Sequence, residues 1–554
     1  MDAMKWWGWG REDVAFTHED KPDLRPFIQR ALGIDAAQPG QPPVPFSAVR
    51  VPDARIEPSL AAALREAAGA DHVSFDPRDR VVHARGKSLR DLVRHRAGDV
   101  GRVPDVVVRP GDERAVAGVL RAALEHDAVV IPFGGGTNIS GSLEAPEHEE
   151  RAVISVDLGR LDQLLEIDAE SRLARVQAGV FGPHLEEQLH RYGWTAGHFP
   201  DSFTHSTLGG WVATRSSGMQ SDKYGDIADL TRAVRVVTPS GMLVTRPVPS
   251  TSTGPSVREM VLGSEGRLGI ITEATIHVHA LPPRRVILAY VLADWRRALE
   301  TMRAIAEAEV APSVTRVSDA PETQFSFATR KTPTALDHVK SRALRLYLRR
   351  LGVDAEQMCL AFVGYEGSEG HVDAQRRAVG RIVKDHGGLC IGASPGELYD
   401  QKKFDTPYIR DFLLDRGALA DVSETSAPWG ALPALYDNVM AAARAAFARL
   451  GVTGYVMCHL SHSYHAGACL YFTFALTPSG TREPLEEYDT VKAAIQQAFV
   501  DNGATLSHHH AVGTEHAQWL EEDISAPGVA MIRALLEGVD PGANLNPGKI
   551  VGRT

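Results

Sequence analysis

The chain has 554 residues, 44% of them hydrophobic and 23% charged, which is globular composition with room for roughly two to four domains of about 150 residues. Lys and Arg number 59 against 70 for Asp and Glu, and the resulting formal charge of −11 argues against a general nucleic-acid binder, so no nucleic-acid partner is expected. The longest apolar stretches, such as that around Ala128 to Phe133, fall short of the roughly 20 residues that span a bilayer, and MDAMKWWGWGRED has neither a signal-peptide core nor a transit-peptide pattern. A cytoplasmic protein is expected. The four cysteines, Cys359, Cys390, Cys458 and Cys469, show no CxxC spacing, so neither a disulfide framework nor a cysteine zinc site is indicated.

Residues 1–100 are rich in Pro, Asp and Arg and carry PGQPPVP at Pro39 to Pro45, which fits neither a helix nor a central strand; the segment reads as an arm with short helices. A strand VVV begins at Val106. A helix opened by Asp112 follows, apolar at Val116, Val119, Leu120, Ala123 and Leu124, and then a strand AVVI, together a βαβ unit. Strands Val153 to Val156, Ala174 to Ala178, Val234 to Val237 and Ile270 to Val278 continue to the Pro282-Pro283 pair, giving one α+β domain over 101–282.

A second α+β domain, largely antiparallel, is expected over 283–505. Its strands are Val286 to Leu292, Val314 to Val317, Cys359 to Val363, around Tyr455 to His459 and Leu470 to Leu476. Its helices are Trp295 to Ala308, His371 to His386, Leu432 to Leu450 and Pro484 to Asn502. The last segment, 506–554, ends in the turn-rich DPGANLNPGKI and is expected to pack back onto an earlier domain.

Three glycine-rich segments stand out in the first domain. IPFGGGTNISG, Ile131 to Gly141, follows a strand directly, and its three successive glycines let backbone N–H groups form a concave anion nest. It is neither GxGxxG nor a Walker A loop, and alone it is as compatible with simple turn chemistry as with a ligand. GHFPDSFTHSTLGGWVATRSSG, Gly197 to Gly218, combines several hydroxyls with Gly209-Gly210, and GSEGRLGIITEAT, Gly263 to Thr275, sets Glu265 among three glycines before a strand.

These loops resemble the FAD-binding domain of vanillyl-alcohol-oxidase-type flavoproteins. Within that superfamily the chain is similar to the alkyldihydroxyacetonephosphate synthase family, from MKWWGWG through FPDSFTHSTLGGWVATRSSGM, STGP, GSEGRLGIITEATI, ETSAPW, YHAGACLYFTFA and SHHHAVG to QWL. The resemblance implies a PCMH-type FAD-binding domain plus an antiparallel cap domain, with the C-terminal segment returning toward the flavin. It implies FAD lined by Pro132, Phe133, Gly134, Gly135, Gly136, Thr137 and Asn138, and by Asp201, Ser202, Phe203, Thr204, His205, Ser206 and Thr207. To these it adds Thr214, Arg215, Ser216 and Ser217, and Glu265, Gly266, Arg267, Leu268, Gly269, Ile270 and Ile271. Covalent attachment is not expected, because Thr137 and Asn138 stand where covalent relatives carry a histidine.

Tyr464, in SHSYHAGACLYF, read alone is a core or edge residue; by the resemblance it is the acid/base that handles a fatty-acid carboxyl. That role calls for a lowered pKa or a nearby cation, since phenol titrates near 10. His508, His509 and His510 read as a solvent loop, a metal site or a catalytic cluster. Three consecutive residues of regular structure cannot all face one metal, and no metal is assigned. Imidazole suits proton removal beside a carbonyl, which is the work the family gives this segment. Arg316 and Arg410 are by themselves ordinary surface ion-pair residues. By the resemblance Arg316 is needed for activity and Arg410 contacts substrate, a use suited to the guanidinium fork. No role is assigned to Thr425, Ser426 or Trp429.

The resemblance implies a FAD-dependent transferase that exchanges the acyl group of acyl-dihydroxyacetone phosphate, a lipid-like small molecule, for a fatty alcohol without net redox change. Thr514, His516 and Ala517 depart from the family by standing where it has cationic residues. The alternative is a flavin dehydrogenase for a 2-hydroxy acid, but the metal-binding GHxGDGNxH-type pattern of such enzymes is absent at CHLSHSYHAGACLYF. A homodimer is a further expectation. The basic, apolar-striped stretch Asp337 to Leu351 suggests peripheral membrane contact.

Overall fold

The structure, a computed structural model, describes residues 4–331, 354, 356–402, 404 and 406–552. The basic stretch 337–351 lies outside the described residues. Among these residues no helix is long and apolar enough to cross a membrane. Cys359, Cys458 and Cys469 are buried thiols and Cys390 is an exposed one.

Two sheets carry the first half of the chain. Val106–Val108, Val153–Asp157 and Val129–Phe133 run parallel in the order given, with the short Val73–Ser74 antiparallel at the outer edge. Parallel pairing needs a crossover, which the helix Glu113–Glu125 supplies; its N-cap Asp112 accepts the Ala115 N–H at 2.7 Å. Val116, Val119, Leu120 and Ala123 bury its apolar stripe with Leu60 and Leu64 of Pro58–Ala68. The second sheet is antiparallel, in the order Leu164–Asp168, Leu173–Gln177, Ile270–His277, Thr231–Thr238 and Gly241–Val244. The C-terminal Asn544 to Asn546 lies along Val130: the Val130 N–H donates to Asn544, and Asn546 N–H donates back to Val130.

The other large sheet is antiparallel and has seven strands among the described residues. They are ordered Leu389–Gly392, Arg284–Leu292, Cys359–Gly367, Val314–Ser318, Thr453–Ser463, Gly467–Thr477 and Leu419–Pro428. Period-two alternation divides its side chains. Val317, Ala361, Val363, Cys458, Leu460, Leu470 and Phe472 face a core shared with the helices Trp295–Glu307, Glu369–Asp385, Leu432–Leu450 and Pro484–Asp501. The opposite face, with Arg316, Phe362, Met457, His459, Tyr471 and Thr473, lines a cavity. A bulge at Ser461 shifts the register between Leu460 and His462, so His462 joins His459 and Ser461 on the cavity wall.

The strand Leu419–Pro428 was not expected from the sequence. It is an edge strand buried on both faces and carries Asp421, Ser423, Glu424 and Thr425, so the usual polar-apolar alternation is missing. Its proline sits at the strand end, where no ladder donor is required.

Candidate active site

A cavity of about 1920 Å³ lies between the glycine loops, the open face of the seven-stranded sheet and the N-terminal helix Leu24–Leu32. Pro132, Phe133, Gly134, Gly135, Gly136, Thr137 and Asn138 form one wall, joined by Asp201, Ser202, Ser206, Thr207, Thr214, Ser216, Ser217, Glu265, Gly266, Gly269 and Ile271. The N–H groups of Gly134, Gly135, Gly136 and Thr137 donate to no partner among the described residues, which suits them to an anion nest. A Cβ at Gly135 would run into the His205 carbonyl, and Gly136 has φ of +66°, so both positions depend on glycine. The Asn138 side chain shapes the turn by accepting the N–H groups of Ser140 at 3.0 Å and Ser142 at 2.8 Å. The Thr207 hydroxyl caps the helix Leu208–Thr214.

The remaining residues of the implied FAD set stand off this wall and hold neighbouring structure. Phe203 packs among Phe199, Trp211 and Phe404, Leu268 with Trp519 and Leu520, and Ile270 in the core of the parallel sheet. Arg215 pairs with Glu259 at 3.1 Å, while Arg267 is buried beside the Lys549 carbonyl. Thr204 is exposed, and His205 meets the Trp9 ring edge-on and bonds the Tyr408 hydroxyl at 3.2 Å.

His509 and His510 form the facing wall with His459, His462 and Tyr471. They stand there because of Glu424, a buried carboxylate that accepts the N–H groups of His508 at 2.7 Å and of His509 and His510 at 3.0 Å, and the Ser507 hydroxyl at 2.8 Å. Burial opposes the Glu424 charge, but the three histidines and these donors hold its carboxyl well below the usual range. Glu265 ties the other end of the loop down, accepting from Val512 N–H at 2.9 Å and Gly513 N–H at 3.0 Å. The histidine loop is thus stitched to the glycine loops, and Ser140 adds a bond to the His510 carbonyl at 3.0 Å. Burial moves His509 down to about 3 and His510 to about 4, so both rings are neutral near pH 7.

Glu424, Cys469, His508 and His509 gather ligand-type atoms within 4.8 Å of one another. The Glu424 oxygens are already engaged by the peptide N–H groups, so this carboxylate organises the loop.

Tyr464 and His508 stand one layer behind the wall. The Tyr464 hydroxyl donates to Asp226 at 2.8 Å and lies 2.5 Å from His508 Nε2. Its close charged neighbour is therefore an anion, contrary to the cation expected. Burial and the Asp226 charge push the phenol up, so Tyr464 acts as a neutral hydrogen-bond bridge.

Arg316 donates to Glu322 at 2.8 Å, and Glu322 also accepts from His459 Nδ1 at 2.8 Å. Burial would raise Glu322, but His459 and Arg316 draw it down to about 2, while burial and the Arg316 charge lower His459, so the charged pair is Glu322 with Arg316. The Arg316 guanidinium lies over the Tyr399 ring, 5.7 Å from its centroid. Arg410, on Thr406–Leu414, lines the cavity 3.9 Å from Asp421, which Tyr488 and Lys492 hold at 2.8 and 3.1 Å. The same cavity also carries an apolar patch of Phe27, Ile28, Phe325, Phe327, Phe412 and Leu413. Thr514, His516 and Ala517 are outside the lining; burial moves His516 down to about 4, so it adds no positive charge near neutral pH.

The sequence reading missed Glu424, Asp226, Glu322, His459 and His462. Glu424 and Asp226 lie far from their partners in the chain, and the available signals were a single carboxylate within a strand for Glu424 and a helix N-cap for Asp226. Trp429, which received no role, donates its indole N–H to the Tyr464 carbonyl at 3.1 Å and braces that turn.

An FAD fits the glycine wall: the cradle has free N–H groups and no room for Cβ atoms, and the buried Ser217 hydroxyl has no hydrogen-bond partner among the described residues. Comparison with known proteins agrees. Residues 104–246 match the FAD binding domain family and 281–550 the FAD linked oxidases, C-terminal domain family. The chain is 36% identical to the alkyldihydroxyacetonephosphate synthase of Dictyostelium discoideum, over 99% of this chain and 93% of the relative. It is 32% identical to that of Trypanosoma brucei brucei, over 100% and 93%. A solved alkyldihydroxyacetonephosphate synthase structure, 34% identical, superposes with a TM-score of 0.85 over 98% of each chain. The glycine cradle, the two matched domains and this full-length similarity place the chain in the alkyldihydroxyacetonephosphate synthase family of FAD-binding enzymes.

Proposed function

We propose that the protein exchanges the acyl group of acyl-dihydroxyacetone phosphate for a fatty alcohol. The observation that carries this reading is a single cavity joining the FAD cradle, Arg316 and Arg410, the neutral His509 and His510, and an apolar patch. When bound, FAD supplies an electron sink for the carbon that loses its proton. The chain's own groups do the rest. Arg410 and Arg316 offer fixed guanidinium groups to the phosphate and carbonyl oxygens. The His508 to His510 segment removes the proton from the ester-bearing carbon, and Tyr464, one layer behind, orients His508 through its hydrogen bond. Phe27, Ile28 and Phe412 shelter the chain of the acyl group or alcohol from water. A hydroxy-acid dehydrogenase is the weaker reading, since the site pairs its histidines with peptide-bound Glu424.

Incubation with acyl-dihydroxyacetone phosphate and a labelled fatty alcohol tests the proposal. Labelled ether product without lasting flavin reduction supports it; flavin reduction by 2-hydroxy acids with no ether product refutes it. We further propose cytoplasmic work at a membrane surface through 337–351. Cosedimentation with anionic liposomes at low and high salt, compared with Arg345→Glu/Arg349→Glu, tests this; equal binding of both proteins, or none, refutes it.

A further inference from the structure

We propose that Asp226 is a positioning residue: it fixes the direction of the hydrogen-bond chain Asp226, Tyr464, His508, His509 and so leaves the His509 Nε2 unprotonated at the cavity wall. The inference rests on the exchange reaction proposed above and names the atom that receives the substrate proton.

Asp226 caps the short helix Ile227–Leu230 and turns its Oδ2 to the Tyr464 hydroxyl at 2.8 Å. A carboxylate only accepts, and the phenol has one hydrogen, so that hydrogen is committed to Asp226. The Tyr464 oxygen is then the acceptor for His508 Nε2–H at 2.5 Å. A neutral ring protonated at Nε2 carries its lone pair on Nδ1, and this Nδ1 faces the Nδ1 of His509 at 2.9 Å. Two ring nitrogens at that distance need one hydrogen between them. His509 provides it, and its own lone pair falls on Nε2.

The order matters because His509 lines the cavity whereas Tyr464 and His508 stand behind it. Burial keeps the ring neutral, and although burial opposes the Asp226 charge, the hydrogen bond from the Tyr464 hydroxyl favours its carboxylate form. In the step this prepares, the substrate C–H bond breaks, its proton goes to Nε2, and its electron pair remains on the carbon for the flavin sink. The imidazolium so formed has Glu424 3.6 Å from Nδ1 to stabilise it. The other titratable groups facing the chain are His462 and Cys469 from the strand pair, Asp222, His198 and His510; the test variants leave all of them in place.

The test is ¹⁵N NMR on histidine-labelled holoprotein without substrate, with the His509 signal assigned by its loss in His509→Gln. The wild type should show Nδ1–H at His509. Asp226→Asn, whose amide can donate to the Tyr464 oxygen, should turn the phenol hydrogen toward His508 and give Nε2–H. Flavin content should hold while exchange falls by about 10⁴-fold, as happens when a triad carboxylate becomes an amide and the histidine takes the wrong tautomer. Asp226→Glu should recover part of the rate. Should Asp226→Asn fail to fold, Tyr464→Phe cuts the same chain and should also lose the Nδ1–H preference. A wild-type His509 with Nε2–H, an imidazolium at His508, or an Asp226→Asn protein with unchanged tautomer or unchanged exchange rate would overturn the inference. Absence of ether product from a wild type with the stated tautomers would instead sink the proposed reaction and leave the hydrogen-bond order standing.

Discussion

The two walls of the cavity are built on opposite plans. The glycine wall offers backbone: N–H groups at Gly134 to Thr137 with no partner among the described residues, and side chains removed where they would collide. The histidine wall offers side chains, and the backbone N–H groups of His508, His509 and His510 are spent on Glu424. A backbone cradle tolerates little change at a few positions because it depends on space. A side-chain wall depends on hydrogen bonds whose partners come from several elements, so it fails by losing orientation while the cofactor stays bound.

The sharpest way to break that contrast is Gly135→Val. Its side chain meets the His205 carbonyl, so the purified protein should contain no flavin, whereas wild type should release intact FAD on acid denaturation. Absorbance of the released flavin checks both, and a normal content in the variant would mean the cradle lies elsewhere.

Glu424→Ala addresses the other wall. It strips the acceptor from three peptide N–H groups, so flavin should stay while exchange falls by about 10²-fold or more. Loss of flavin with the activity would show that the two walls are not separable.

Glu322→Gln should act more gently. Arg316 keeps its place beside Tyr399 but loses its ionic partner, and about tenfold in kcat/KM should go, with KM carrying more of it than kcat. A change confined to kcat would place Arg316 in the chemical step.

The smallest effect concerns stability beneath the histidine wall. Burial first, and the nearby Glu322 charge, raise Asp319 from 3.8 to about 8. A carboxyl raised on folding contributes stability that is complete below about pH 4 and is lost as pH rises through about 8. Asp319→Asn keeps the cap on the helix Ala320–Ala328 and removes the titration. The wild-type Tm should therefore decline relative to the variant across that range, and parallel Tm profiles would contradict the assignment.

The glycine segments stood out in the sequence because their signal is local, and the resemblance tied them to a flavin. Three glycines after a strand, the segment Gly197 to Gly218 and the Glu265 segment each occupy one short stretch, and glycine in them frees the backbone for close approach. The helix capped by Asp112 and the helix Leu432–Leu450 were legible for the same reason, through capping chemistry and 3.6-residue periodicity. The strand Leu419–Pro428 escaped because burial on both faces erased its alternation, and Glu424 escaped with it.

The histidine run, Tyr464 and both arginines were visible as residues, but their surroundings were not. Asp226 and Tyr464 are 238 positions apart, and Arg316 and His459 are 143 apart. No window of sequence contains both members of either pair. Whether Tyr464 meets a cation or an anion, which histidines reach the cavity past the bulge at Ser461, and which nitrogen carries each proton all depend on contacts made after the sheets assemble. Periodicity and turn chemistry act over a few residues, so the chain itself specifies its elements and its backbone cradle. The protonation and aim of a buried side chain answer to the field and the donors around it, and the packing of distant strands sets both.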